Sequence, residues 1–195
     1  MHSGLMVDAD SEEIFGLAAQ TIHYRKPAPK KENTTQRLQR DRESKVWGEV
    51  IDAVGEPADD VELVHVLDRG ADNFEVYCHC LEQKVDWVVR VTQKQRAILK
   101  PGGQRMPLKK YLGKLSVAGS YELSLRARPD QAARTAQLEV CFGALKMPLP
   151  AHKSPYVKQI DPDPIQMWVV HVREVDAPDG VEPIEWILLT SLAVE

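Results

Sequence analysis

The sequence predicts an α/β fold: a mixed sheet with helices, interrupted by an inserted β-rich subdomain. Three observations predict it. Residues 61–82, VELVHVLDRGADNFEVYCHCLE, read as an apolar strand that stops at Asp68 and passes through a turn into a helix. After Thr92 the texture changes to short alternating runs punctuated by turn residues, the pattern of a β-rich region. Residues 184–189, IEWILL, then form one more apolar strand that returns the chain to the first layer. The expected organisation is a core over residues 1–92, the inserted subdomain over 93–182 and the returning strand over 183–195.

Taken in order, Leu5-Met6-Val7 and residues 14–24 are apolar runs joined by Asp8-Ala9-Asp10-Ser11, which predicts an antiparallel hairpin. A helix over 11–20 is the alternative, because Ser11, Glu12 and Glu13 also suit a helix start. Residues 25–40, with Pro27, Pro29 and many Lys, Asn, Thr and Gln, read as a polar loop. Over 43–54, Val46, Trp47, Val50, Ile51 and Val54 share one face of a helix that Gly55 and Pro57 end. The run Val61, Leu63, Val64, Val66, Leu67 predicts a strand buried on both faces, with Asp68 at the carboxyl end of an inner strand, where open sheets place ligands. Phe74, Val76, Tyr77 and Leu81 give the next helix its apolar face, with Asp72 as its cap and Glu75 completing a capping box. Strands are then expected over 86–92, 121–128, 135–145 and 167–172, with turn clusters at Arg128-Pro129-Asp130 and over 148–155.

The net charge of −4 conceals an asymmetry. Residues 84–153 hold 14 Lys/Arg and 4 Asp/Glu, a balance of +10, and residues 25–45 hold 8 and 3, a balance of +5. Basic residues gathered in this way are the footprint of a polyphosphate partner, or else a solvated face that keeps a subdomain soluble. No run approaches the length of a membrane span, no leader is read, and three cysteines without metal-like spacing fit a reduced, cytoplasmic protein. Cys78-His79-Cys80 is rejected as a metal cluster, because residues two apart on a helix point in different directions. His65 and His171 lie within apolar strands and read as satisfied core residues.

Asp68-Arg69-Gly70-Ala71-Asp72 resembles the turn that ends the second catalytic strand of bacterial DDE cut-and-paste transposases of the insertion-sequence-four type, which share the RNase H-like fold. Pro183-Ile184-Glu185-Trp186-Ile187-Leu188-Leu189-Thr190-Ser191 resembles the strand by which that family returns from its β-rich insertion to the catalytic core. The resemblance covers nearly the whole chain and implies DNA transposition: binding of double-stranded DNA at transposon ends, cleavage, and strand transfer into target DNA, by a homodimer when full length. It implies two Mg²⁺ (or Mn²⁺) ions, with Asp68 as catalytic residue and metal ligand, and Arg69 at a phosphate or a neighbouring carboxylate. Trp186 takes the place of a Trp that stacks on a flipped base, and Arg90, Lys94 and Arg96 follow a strand that contacts transposon-end backbone.

The chain also departs from that pattern. The family's first Asp would lie on a strand upstream of Met1 and its Glu on a helix downstream of Glu195, so the resemblance implies a fragment whose core is incomplete at both ends and which is inactive alone. Asp8 and Asp10 fall in the hairpin turn and do not replace the missing carboxylates. The rival reading is a DNA-binding remnant that cuts nothing. The plain alternatives for single residues are a turn-forming Asp68 and a core Trp186.

Overall fold

The computed structural model describes residues 1–24, 27, 29–39, 43–127, 129 and 132–195. The molecule is a mixed α/β protein with few helices. Its contacts divide it into two units, Met1–Trp87 with Leu149–Asp163, and Val88–Pro148 with Pro164–Glu195. Among the described residues no helix is long and apolar enough to cross a membrane.

The first unit opens with the predicted hairpin, β1 (His2–Val7) against β2 (Ile14–Thr21), antiparallel and with Leu5 opposite Leu17. Asp8 makes the turn: its Oδ1 accepts from the Ser11 N–H at 2.7 Å and the Asp10 N–H at 3.2 Å, the local bonding that favours Asp in turns. The expected loop contains a short helix, α1 (Thr34–Gln39), whose entry Asn33 fixes by accepting from the Gln36 N–H at 2.9 Å. Arg25 and Arg40, the ends of that loop, and Arg128 and Asp130 of the later turn cluster lie outside the described residues.

Helix α2 (Glu43–Val54) has the predicted bounds and stops at Gly55, whose φ of 79° only glycine adopts cheaply. It buries Val46, Val50 and Ile51, and the helix packs on β1, β2 and the helix over Phe74–Glu82, while Trp47, expected in the core, is only half-buried. The next strand differs from expectation. β3 (Val64–Leu67) is short, pairs on one side only, and leaves Val66 78% exposed; Val61 lies outside it and is exposed. Burial on both faces needs a layer on each face, and none of the described residues covers Val66.

Helix α3 (Phe74–Glu82) is capped by Asn73, whose side chain accepts from the Val76 N–H at 3.1 Å, so neither the Asp72 cap nor the Glu75 capping box forms. Asp72 is instead buried and accepts from the Tyr77 hydroxyl at 2.9 Å. The face of α3 that turns inward carries Val76, Tyr77 and Cys80, while Leu81 is 46% exposed. Tyr77 packs on Trp87, ring centroids 5.6 Å apart, and both are fully buried. The expected turn over 148–155 leads into a helix, α5 (Pro155–Ile160), with Ser154 capping it and Pro155 at its first turn. Tyr156 of α5 stacks on His79 of α3 at 3.9 Å.

The second unit is an antiparallel sheet. β4 (Asp86–Arg90) enters it at Val88 and pairs with β10 (Glu185–Thr190), which pairs with β9 (Ile165–Val175), which pairs with β8 (Arg134–Met147). β7 (Val117–Leu125) and β5 (Ala97–Leu99) both lie on the far side of β8, and β6 (Arg105–Pro107) closes the edge beside β5. A short helix, α4 (Leu108–Leu112), packs at Gly143, where an added Cβ would sit 2.7 Å from the Tyr111 hydroxyl. That hydroxyl donates to the Ala144 carbonyl at 2.8 Å.

Candidate functional site

Asp68 stands where β3 ends, in extended backbone, and is exposed together with Arg69. Its Oδ1 accepts from the Gly70 N–H at 2.6 Å, which closes a single 3-10 turn over Arg69–Ala71. The turn leaves little room at Gly70. A Cβ on Gly70 would lie 3.0 Å from the Trp47 indole and 3.1 Å from Asp68 Oδ1. Trp47 is thus the wall behind the Asp68 turn, and its other edge meets the His2 ring at 4.9 Å in an edge-to-face contact. One carboxylate oxygen shapes the turn; Oδ2 accepts no hydrogen bond among the described residues.

A pair of hard divalent ions needs several oxygen ligands. Among the described residues no group of three or more His, Cys, Asp or Glu side chains comes together. Asp68 is the one exposed carboxylate that these residues bring to the turn, so they do not by themselves fit a metal pair. Cys78 and Cys80 are buried, and burial pushes both thiols up to about 12, which leaves them neutral and unreactive.

The other expected residues fall in the second unit. Arg90 ends β4 opposite Leu188 and is half-buried. Arg96, also half-buried, enters a turn by donating its N–H to the Gln93 carbonyl at 3.1 Å. Lys94 is exposed, but its ammonium is engaged by the Glu185 carboxylate, which also meets His171 Nε2 at 3.0 Å. Burial acts to raise the Glu185 pKa; the bonds from Lys94 and His171 outweigh it and hold the group below its usual value. His171 Nδ1 and His65 Nε2 are buried without a partner, so neither ring is the fully satisfied core residue expected.

Trp186 lies opposite Val172 and is half-buried, packed on a cluster of Ala136, Leu138 and Val172. Trp168, inconspicuous in sequence because it falls inside an apolar run, shares that face of the sheet and is half-buried too. The structure therefore places Asp68 and Arg69 in one unit and Arg90, Lys94, Arg96 and Trp186 in the other.

Sequence reasoning also misses individual cations. Residues 90–114 carry eight Lys/Arg and no Asp or Glu. Of these, Arg105, Lys109, Lys110 and Lys114 are exposed, and none is paired with a carboxylate among the described residues. The only signal in the sequence is the unbroken sign of the charge. No protein-family model matches the chain, and no curated protein matches it.

One ion pair in the second unit gives a pH prediction. The Glu174 side chain is 1% exposed, bonded by both Arg134 guanidinium nitrogens and by the Ile184 N–H at 3.0 Å. The hydrogen bond from Arg134 lowers its pKa. A carboxylate depressed on folding adds stability that is complete above its unfolded value, about 4.3 for Glu, and is lost as pH falls through the lower folded value. Urea midpoints of the native chain should therefore fall between pH 5 and pH 3 (about one unit either side of that value) by more than those of Glu174→Gln. Equal falls would mean that this pair does not set the acid limb.

Proposed function

We propose that this chain is a DNA-binding protein of the insertion-sequence-four transposase type, acting on double-stranded DNA at transposon ends and targets. The observation that carries the proposal is the strand–Asp68–turn–helix unit. The carboxylate stands exposed at the end of β3, a tight turn with Gly70 packed on Trp47 follows, and α3 begins at once. The resemblance in sequence implies the same order of parts. An RNase H-like core is part of this reading. It is compatible with the mixed α/β make-up of the chain.

In this reading the cleavage chemistry uses Mg²⁺ or Mn²⁺, and Asp68 is the ligand that the described residues put forward. Binding needs no metal. It rests on the second unit, whose 90–114 segment presents cations on short strands and a helix that hold them in fixed places. The single carboxylate at the turn favours, as second reading, a protein that binds DNA and leaves it uncut.

The test is the salt dependence of duplex binding. Each phosphate neutralised adds about 0.9 to the slope of log affinity against log salt. Replacing Lys109, Lys110 and Lys114 with Gln should lower that slope by up to about 2.7, the sum for three phosphates no longer neutralised. An unchanged slope in a folded variant would show that this surface does not hold the duplex.

A further inference from the structure

The second unit holds a cavity of about 280 Å³ on the sheet face at the β5–β6 end. Register builds its floor. Leu99 of β5 lies opposite Lys146 of β8, and Lys146 opposite Gln166 of β9, so the three form one row across neighbouring strands on one face. Ala144, two residues before Lys146, shares that face and supplies a small, flat contact.

The wall is the turn between β5 and β6. Gly103 N–H donates to the Lys100 carbonyl at 2.9 Å, and Lys100 N–H to the Gln104 carbonyl at 3.1 Å. Gly102 and Gly103 have φ of 88° and 82°, a conformation that side-chain-bearing residues rarely adopt, and a Cβ on either would meet nothing within 4 Å. Two successive glycines thus leave bare backbone beside the cavity, where a ligand can approach the main chain closely. The Gln166 amide nitrogen donates to the carbonyls of Leu145 at 3.2 Å and Met167 at 3.4 Å, which fixes that side chain at the rim.

The charge at this site has one sign. Lys100 and Lys146 line the cavity, no Asp or Glu does, and neither ammonium is paired with a carboxylate among the described residues. Lysine binds phosphate as a compact point charge, and bare glycine backbone is the usual companion of phosphate recognition. We infer that this cavity seats a backbone phosphate of a nucleic-acid strand between Lys100 and Lys146, with the Gly102-Gly103 turn against it. The inference rests on the DNA-binding reading and names where one strand is held.

The test is amide NMR of the full chain, titrated at low salt with a short DNA duplex and, separately, with inorganic phosphate. The duplex should shift the Gly102, Gly103 and Gln104 amides, and those shifts should vanish in the folded double variant Lys100→Gln/Lys146→Gln. In that variant the salt slope of duplex binding should fall by about 0.9, the value for one phosphate. Duplex binding that leaves these three amides unmoved would overturn the inference while the DNA-binding reading stood. No duplex binding at all would end both. Shifts here with inorganic phosphate but not with duplex would make this a small-anion site and overturn the strand assignment.

Discussion

Replacing Trp87 with alanine is expected to cost about 3–5 kcal/mol of stability, the range for removing a large buried aromatic. Trp87 is 1% exposed and packs on Tyr77, itself completely buried. That loss is a large part of the total for a domain of this size, so the variant should unfold at markedly lower urea. Trp186→Ala should cost less, no more than about 2 kcal/mol, because its indole is half-buried on the edge of the Ala136, Leu138 and Val172 cluster. Equal penalties for the two would make Trp186 a packing residue and remove its place in a base-stacking role. Trp47, which its helix face suggests as the core reference, does not serve for this comparison, since it is half-buried beside the Asp68 turn.

Among the glycines of the first unit, Gly48 leaves the least room for an added methyl group, and Gly48→Ala is expected to destabilise the chain. A Cβ there would lie 2.3 Å from His79 Cδ2 and 2.4 Å from Nε2, closer than real contacts permit. The ring cannot simply swing away. Its Nδ1 is 2.9 Å from Asp52 Oδ1, and its face is stacked on Tyr156. Tyr156 is in turn anchored by donating its hydroxyl to Glu82 at 2.7 Å. Alanine improves helix propensity by about 1 kcal/mol, but overpacking costs about 1–3 kcal/mol and occasionally more. We expect a net loss of up to about 2 kcal/mol from these two opposing terms, read from urea unfolding. The penalty should shrink in a His79→Ala background, because the clash is specific to that ring. A Gly48→Ala chain more stable than the native one would show that α2 and α3 are free to separate.

Parts of this architecture can be read directly from local chemistry. The hairpin follows from two apolar runs around Asp8, and α2 from its periodic face and the stop at Gly55. What fails depends on neighbours distant in sequence. Burial on both faces of residues 61–67 needs a second flanking layer, and Val66 has none among the described residues. Asp72 and Asn73 are adjacent and equally good caps by type; Tyr77 captures Asp72, which leaves the cap to Asn73. Helix α5 carries a readable start in Ser154-Pro155, but the prolines around it suggest a turn instead.

The candidate site divides in the same way. Asp68 at the end of a strand is legible because the strand, the turn and the helix are contiguous in sequence. The coupling of Lys94 to Glu185, 91 residues apart, is not, and it takes one of the three expected backbone-contacting cations into an ion pair. The exposed cations around α4 are visible only as a charge balance, because nothing in a run of lysines says which of them lacks a carboxylate neighbour.

If this chain binds duplex DNA through the 90–114 surface of its second unit, lysines of that surface must lie against the duplex. Chemical cross-linking of lysines to bound DNA, followed by mapping of the modified peptides, reads this out directly. Adducts should concentrate at Lys100, Lys109, Lys110 and Lys114 and disappear as salt is raised. Adducts confined to residues 1–87, or a yield that ignores salt, would contradict it.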